Sequence, residues 1–562
     1  MARAEATVEE LVTMIERGSL RLPEMQRRYV WRSPRVRDLM DSLYRGYPSG
    51  AILLWQSNEN VPLQDFSVSQ EANRYQSTQL LLDGQQRLTS LSAVIRGVPV
   101  SVRGRKRPID LLFNLEHPDQ LAFVTEVDED ADDDEDADAD ATPDELMARF
   151  NKMAFVVSTR KLAQLPHWVS VSEVFRTSSD RPFLKKAGVT DFDDPRAEKY
   201  SKRLARLRDI RKYVYRMDVL ESTLSYDEVT EIFVRVNSLG AKLRSSDLAL
   251  AQITAKWRDS LAEFQAFQAH CAAMGFDLDL GIHLKNLIAF ATGQSRFLTV
   301  GGLDAATLQK AWSASREGME FALNFMRSNV GINSPALLSS PFILVAIAYF
   351  GHRRQYSLSP NEAKRLRYWV LVANAKGRFS RGSSETILDQ DLASLRQGGG
   401  VGEMIDRLRL QFGRLDITAE ELEGRNQRSA LFKSMFLAFH AIGAKDWRSN
   451  LRISLDHKGV QHRLQFHHIF PKAVLKTAGY SAREADDIAN LSFIAGKTNR
   501  QISDKSPQAY LPAYIEKAGQ EAFAAQCIPI ADERLAVHAY PEFLKERRNR
   551  IAARLNEFFD SE

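Results

Sequence analysis

The sequence predicts a multidomain α+β protein with an α/β N-terminal part, an all-α middle and a C-terminal part in which two strands precede a helix. Over residues 1–225, short apolar runs typical of buried strands alternate with segments of helical periodicity. Residues 226–450 carry helical periodicity almost throughout, and residues 451–562 return to a strand, loop, strand, helix order. A chain of 562 residues with 44% apolar composition is long enough for three such domains.

The individual elements follow from the spacing of apolar residues. In the N-terminal part the sequence predicts helices at 8–17 and 34–45, and strands at 51–55, 79–82, 110–113, 155–157 and 213–215. The clearest helices of the middle part are 226–236, 246–257, 341–350 and 361–373. The C-terminal strands are expected at 464–469 and 491–494.

The charge is unevenly distributed along the chain. The formal net charge is +4, but residues 126–145 hold 13 acidic residues and no basic one. The other residues then carry 76 basic against 59 acidic side chains, an excess of 17 that favours a polyanionic partner such as nucleic acid. The acidic stretch is expected to be a solvated insertion. A sharper hypothesis is that it mimics DNA and covers a basic groove until DNA displaces it.

Cysteine usage and hydropathy indicate the compartment. Cys271 and Cys527 are too few for a disulfide framework and form no CxxC pair, which fits a reducing cytoplasm. The N-terminus lacks an apolar signal core, and the longest apolar run, 342–350, is far shorter than the roughly 18 to 20 residues of a membrane span. We therefore expect a cytoplasmic protein without a membrane segment.

The densest chemical signal is the run from Phe466 to Pro471, which contains His467 and His468, followed by Asn490 and Asn499. Adjacent histidines on a strand point to opposite faces, so the two imidazoles have different surroundings. A divalent ion bound by an imidazole and an amide oxygen keeps positions open for phosphate and water. A neutral histidine beside it has the right pKa to deprotonate that water. A histidine pair alone is more often a surface or core feature.

A second signal lies where a predicted strand ends at Asp83. Gly84 permits a tight turn, and a helix-period run begins with Gln85, Gln86 and Arg87. Free backbone N–H groups at such a helix start bind anions, and an arginine can bind phosphate through two donors. A structural turn with a surface salt bridge explains the same residues equally well.

The C-terminal constellation resembles the HNH, or His-Me finger, nuclease motif of the C-terminal domains of GmrSD-type restriction enzymes. The resemblance implies a ββα-metal domain in which His468 is the general base and Asn490 holds the loop between the strands. It makes His467 and Asn499 the ligands of Mg²⁺ or Mn²⁺. This family often has an acidic residue where His467 stands. Three cations nearby are candidate DNA phosphate contacts, although a solvated basic face explains them as well: Lys497, Arg500 and Lys505.

The N-terminal motifs are similar to the signature of the N-terminal domain of the same enzymes, which is related to the ParB and sulfiredoxin fold. They comprise a Pro-x-x-Gln-Arg-x-Tyr-x-Trp run from Pro23 and the Asp-Gly-Gln-Gln-Arg run from Asp83. The resemblance implies a site for a nucleoside triphosphate, GTP or ATP, that contains Asp83, Gly84, Gln85, Gln86, Arg87, Gln26 and Arg27. It also implies three domains: 1–225 for nucleotide binding and sensing, 226–450 as a helical linking domain, and 451–562 as the HNH nuclease.

The leading hypothesis is a nucleotide-regulated, modification-dependent DNA endonuclease that defends a bacterium against phage or other foreign DNA. A homodimer would suit double-strand cleavage, although no residue pattern requires it. The main alternative is a nucleotide-hydrolysing, DNA-sensing regulatory protein whose HNH-like domain only binds nucleic acid. A nuclease acting on RNA would show itself by indifference to DNA modification, and a plain helical scaffold explains neither motif.

Overall fold

The computed structural model describes residues 2–26, 29, 31–57, 61–64, 66, 68, 70, 79–97, 109–118, 150–191, 193–239, 244–380, 382–457 and 463–561. The chain divides into two compact units, Met1–Leu261 and Ala262–Glu562. Arg27 and the acidic stretch 126–145 lie outside the described residues. The predicted division into three domains stays a prediction.

The first unit contains two β-sheets in its described part. Its strands are β1 (Ala2–Thr7), β2 (Leu20–Pro23), β3 (Ile52–Gln56), β4 (Leu63–Gln64), β5 (Gln79–Asp83), β6 (Leu111–Asn114), β7 (Phe155–Val157), β8 (Trp168–Ser170) and β9 (Val214–Leu220). One sheet has the order β1-β9-β3-β5-β2-β4 and the other the order β7-β6-β8. The larger sheet is mixed, because β3–β9 and β2–β5 are parallel while β1–β9, β3–β5 and β2–β4 are antiparallel.

Helices pack against these sheets through apolar faces. They are α1 (Val8–Glu16), α2 (Ser33–Arg45), α3 (Gln85–Arg96), α4 (Arg160–Gln164), α5 (Val171–Arg176), α6 (Arg181–Lys186), α7 (Pro195–Arg208), α8 (Tyr226–Leu239) and α9 (Ser245–Lys256). Helix α1 shows why they form: Thr7 and Glu10 make a capping box, and Val8, Leu11 and Ile15 recur at helical spacing and are buried. The core of the first unit therefore lies between helices and sheet.

The second unit is mainly helical. After α10 (Ser260–Ala273), which begins just before the division between the units, it contains α11 (Leu280–Thr292), α12 (Ala305–Phe325), α13 (Phe342–Arg353), α14 (Pro360–Lys376), α15 (Ser384–Arg396), α16 (Val401–Phe412), α17 (Ala419–Leu422) and α18 (Ala430–Ala441). Helix α13 is apolar on every side and buried from Ile343 to Gly351. Arg378 and Asp391 form a buried ion pair in the second unit, so its core contains charged side chains in addition to apolar ones.

The last part of the second unit contains a two-stranded antiparallel sheet. Strand β10 (Leu464–His468) pairs with β11 (Leu491–Ala495), with His467 opposite Ser492 and His468 opposite Leu491. The connection contains α19 (Lys472–Thr477) and α20 (Ala482–Ala485), and α21 (Gly496–Ile502) follows β11 directly. The chain ends with α22 (Pro507–Ala518), α23 (Gln520–Ala524), α24 (Asp532–Leu535) and α25 (Tyr540–Asp560).

The structure confirms the α+β class and the helical middle part. Every predicted strand has a counterpart within one or two residues, except that the predicted 213–215 extends to Leu220 as β9. Strand β1 was missed because its apolar positions are all alanines, which are depleted in strands, and most of its residues are exposed. None of the helices in the described part of the chain is both long and apolar enough to cross a bilayer.

Candidate functional site

The two histidines at the end of β10 project to opposite sides of the strand, as the alternation of side chains requires. His467 is buried, and its ring makes edge contacts with the rings of Trp447 and Tyr510 at 5.9 and 5.7 Å between centroids. The side chain of His468 retains 18% exposure. One imidazole is therefore enclosed by the fold and the other is accessible from solvent.

The enclosed imidazole meets the amide of Asn499, which α21 carries. His467 Nδ1 lies 2.8 Å from Asn499 Oδ1, and Asn499 Nδ2 donates to Gln465 Oε1 at 3.0 Å. Burial lowers the pKa of His467 from 6.5 to about 4, so the ring is neutral near pH 7. The two residues predicted as metal ligands are thus brought together, one as a neutral imidazole and one as an amide carbonyl.

This pair fits a divalent cation by the chemistry of its donors. An amide oxygen is a ligand of Mg²⁺ or Mn²⁺, an imidazole nitrogen is a ligand of transition-metal ions, and neither has to lose a proton first. Within the described residues, no group of three or more His, Cys, Asp and Glu side chains is arranged to hold a metal ion. Any ion at His467 and Asn499 would complete its coordination with water and phosphate oxygens.

The accessible imidazole has a carboxylate partner that the sequence did not reveal. His468 Nε2 lies 2.9 Å from Asp486 Oδ1, and the ammonium of Lys472 lies 2.8 Å from the same oxygen. Burial lowers the pKa of His468, while the hydrogen bond to Asp486 opposes that shift. Partial burial acts to raise the pKa of Asp486, but the hydrogen bonds from Lys472 and His468 outweigh it and lower that pKa. Asp486 is therefore an anion, and Nε2 is the protonated nitrogen of a neutral His468.

The side chain of Asn490 ties the connection between the strands to their ends. Its Oδ1 accepts the backbone N–H of Phe470 at 2.8 Å, and its Nδ2 donates to the carbonyls of Phe470 and Ala485 at 3.0 and 2.9 Å. The residue is fully buried. These contacts support the loop-holding role that the family resemblance implied, because Ala485 directly precedes the partner of His468.

Helix α21 is fixed at its start by Asp446, another residue that sequence reasoning missed. Asp446 accepts the backbone N–H of Ala495 and the hydroxyl of Thr498, at 2.8 and 3.0 Å. Burial acts to raise its pKa, but hydrogen bonds from Ala495 and Ser449 lower it overall. The carboxylate thereby orients the turn that presents Asn499.

The three predicted DNA contacts lie on α21 or just after it. Lys497 is partly exposed, whereas Arg500 and Lys505 are exposed. Lys497 and Arg500 flank Asn499 within the same short helix. Their contact with DNA stays a prediction.

The N-terminal motif has the predicted strand, turn and helix. Strand β5 ends at Asp83, Gly84 adopts the left-handed conformation with φ of +103°, and α3 begins at Gln85. The guanidinium of Arg87, however, donates to the carbonyls of Ser49 and Ala51 at 2.5 and 2.7 Å and to Asp83 at 3.1 Å. Arg87 therefore holds β3 and β5 together in this structure, as the structural interpretation of the turn expects.

Three glutamines surround the end of β5. The side chain of Gln26 donates to the carbonyl of Leu81, and Gln86 Oε1 accepts the backbone N–H of Trp31 at 3.2 Å. Gln85 and Gln26 are both buried. The two N-terminal motifs are thus adjacent within the first unit, while nucleotide binding by them stays a prediction.

Comparison with known proteins adds two findings. Residues 8–254 match the family model of the GmrSD restriction endonuclease, N-terminal domain. The chain is also 23% identical, over 546 residues, to an uncharacterized protein of Methanocaldococcus jannaschii. The aligned region covers 90% of this chain and 86% of that protein. The family match contains Gln26 and residues 83–87 and ends well before β10. The N-terminal part of this chain is therefore similar to the N-terminal domain of GmrSD restriction endonucleases.

Proposed function

We propose that this protein is a metal-dependent DNA endonuclease of the HNH type, controlled by a nucleoside triphosphate and by modification of the DNA. The observation that carries the proposal is that one strand holds two histidines, each facing a different polar partner. His467 faces an amide oxygen at 2.8 Å, and His468 faces a carboxylate at 2.9 Å. Hydrolysis of a phosphodiester needs ligands for a metal ion and a general base, and this strand carries a candidate for each.

His468 acts as the general base through Nδ1. Its Nε2 hydrogen is directed to Asp486, which leaves the lone pair on Nδ1 to accept a proton from water. Asp486 stabilises the imidazolium that then forms, and Lys472 keeps Asp486 ionised. The lowered pKa of His468 means that the base is unprotonated at neutral pH.

Asn490 and Asp446 position the groups that act. Asn490 holds the backbone of Phe470, two residues after His468, and Asp446 holds the start of the helix that carries Asn499. A Mg²⁺ or Mn²⁺ ion held by His467 and Asn499 would supply electrostatic stabilisation of the phosphate and of the leaving oxygen. Lys497, Arg500 and Lys505 would bind neighbouring phosphates.

The N-terminal unit would supply control. Its match to the restriction-enzyme domain supports a sensing role, and the β5–α3 turn supports binding of GTP or ATP by Gln26 and by Asp83, Gly84, Gln85, Gln86 and Arg87. Arg27 belongs to the same proposal but lies outside the described residues. Modified phage or foreign DNA would be the substrate in the cytoplasm of the cell. A homodimer would allow both strands to be cut.

The test is cleavage of supercoiled plasmid and phage DNA by the full chain with Mg²⁺ or Mn²⁺, with and without GTP or ATP. DNA of one sequence is compared unmodified and with glucosylated cytosine, methylated cytosine or a sulfur-modified backbone. We expect cleavage that depends on modification or nucleotide and falls by about 10²- to 10⁴-fold in His468→Ala. The control is His538→Ala, which removes an exposed histidine of the same unit and should leave cleavage unchanged.

Intact DNA under every condition would contradict this proposal. Continued nucleotide hydrolysis in that case would favour the second candidate, a DNA-sensing regulatory protein whose HNH-like part only binds nucleic acid. Cleavage of RNA that is indifferent to DNA modification would instead indicate a ribonuclease.

A further inference from the structure

The hydroxyl of Tyr510, on α22, is buried between two groups of the candidate site. It donates to the carbonyl oxygen of Ile469 at 3.0 Å and lies 3.1 Å from His467 Nε2. The residue is only 3% exposed, and burial raises the pKa of its hydroxyl, so the proton stays on the oxygen at neutral pH. Tyr510 thus contacts the far side of the ring whose Nδ1 faces Asn499.

Counting protons determines which nitrogen of His467 carries hydrogen. A tyrosine hydroxyl has one proton, and a carbonyl can only accept, so the contact with Ile469 uses that proton. The contact with His467 then forms a hydrogen bond only if Nε2 donates to the Tyr510 oxygen. In a neutral imidazole, a hydrogen on Nε2 leaves Nδ1 with its lone pair.

That lone pair meets another acceptor. Asn499 Oδ1 is 2.8 Å away, and the amide nitrogen of Asn499 is occupied with Gln465 Oε1 at 3.0 Å. Two acceptors at this separation lack a hydrogen between them and repel each other, whereas both are attracted to a cation. The arrangement is therefore complementary to a positive ion and poorly complementary to a simple hydrogen bond.

The anchor of Tyr510 is itself held in place. The N–H of Ile469 donates to the carbonyl of Asn490 at 2.8 Å, and Ile469 is fully buried. The peptide group whose carbonyl accepts from Tyr510 also contains the N–H of Phe470, which donates to Asn490 Oδ1 at 2.8 Å. Asn490, which organises the loop between the strands, therefore fixes that peptide group. The series of contacts runs from Asn490 through Ile469 and Tyr510 to His467.

We propose that Tyr510 is a positioning residue for metal binding: anchored on Ile469, it keeps the hydrogen of His467 on Nε2 and so directs the Nδ1 lone pair, with Asn499 Oδ1, at a divalent cation. This inference rests on the proposed metal site and adds a residue to it. Partners of this kind typically change metal affinity by about 10- to 100-fold when they are removed.

The first test is calorimetric titration of the full chain with Mn²⁺ in the absence of DNA. We expect Tyr510→Phe, which keeps the ring and removes only the hydroxyl, to weaken binding by about 10- to 100-fold. The matched control is Tyr514→Phe, the same change one turn along α22 at a partly exposed position, which should bind as the native chain does. Equal affinities of Tyr510→Phe and the native chain would overturn the proposal.

The second test reads the tautomer of His467 directly in the native chain. Nitrogen-15 NMR of the histidine-labelled, metal-free native chain, with the signal assigned through His467→Gln, should show hydrogen on Nε2. Hydrogen on Nδ1 would contradict the role of Tyr510 even if metal binds. The role of Tyr510 and the role of the proposed base can be contradicted separately. If Tyr510→Phe redistributes the hydrogen from Nε2 but His468→Ala does not affect cleavage, Tyr510 still sets the tautomer of His467, and His468 is rejected as the base.

Discussion

His468 Nε2 and Asp486 Oδ1 are 2.9 Å apart, although the two residues are 18 positions apart in the chain. The contact joins the end of β10 to the connection that leads back to β11, and the ammonium of Lys472 shares the carboxylate oxygen. A base whose second nitrogen is held by an anion has a defined orientation and a stabilised conjugate acid.

Asp486→Asn should therefore reduce cleavage by about 10- to 100-fold, because an amide orients the ring but does not stabilise the imidazolium. Loss of the carboxylate also removes the contact that opposes the lowered pKa of His468, so that pKa should fall further. The acidic limb of the rate profile, where activity is lost as the base is protonated, should move to lower pH. Cleavage rates measured from pH 5 to 8 test this. An acidic limb at the same pH in the variant and the native chain would exclude a role of Asp486 in setting the pKa of His468.

Burial of His467 predicts a pH dependence of folding stability. Its pKa is about 4 in the folded chain and about 6.5 when unfolded, so the unfolded chain binds more protons between these values. Stability should thus be lost as pH falls from 6.5 towards 4, by at most about 3 kcal/mol from this group. Denaturant unfolding in EDTA at pH 7 and 4 should show a smaller loss for His467→Gln than for the native chain. Equal losses would show that His467 is not buried as a neutral ring.

Asn490→Ala should destabilise the second unit by about 3 kcal/mol, because three buried hydrogen bonds to backbone groups are lost together. The control is Asn549→Ala, where a single exposed contact with the carbonyl of Lys545 is removed. Chemical denaturation of the two variants should differ clearly, with less than about 0.5 kcal/mol for the control. Similar small effects would argue against a structural role for Asn490.

Gly84→Ala should destabilise the first unit by about 2 to 3 kcal/mol. A Cβ atom there would lie 2.4 Å from Ile52 Cδ1, at a φ of +103° that suits glycine. Gly46→Ala is the control, since its φ is +79° but a Cβ would meet no described atom within 4 Å. Backbone strain alone should cost the control about 1 kcal/mol. Denaturation midpoints that shift equally would show that the contact with Ile52 has no effect.

The sequence predicted the elements that hold the candidate site more completely than the contacts within it. The strands around His467 and Leu491 and the turn at Gly84 follow from local apolar spacing and from one glycine, and the structure has them where they were expected. Asp486, Lys472 and Tyr510 were missed, because no local pattern distinguishes them from other polar residues. The one available signal for Asp486 was its position, because an acidic residue in the connection between the two strands is a candidate partner for a histidine at the strand end.

The sequence by itself determined the α+β class, the side-chain alternation that separates His467 from His468, and the strand, turn and helix around residues 83–87. These depend on neighbours a few positions apart, whose spacing decides which backbone conformation buries apolar groups. Only the tertiary structure decided that Arg87 binds the carbonyls of Ser49 and Ala51, that Asp486 faces His468, and that Tyr510 contacts His467. The reason is that a side chain acquires its partner, its burial and its pKa from groups distant in sequence, which packing brings within hydrogen-bonding range.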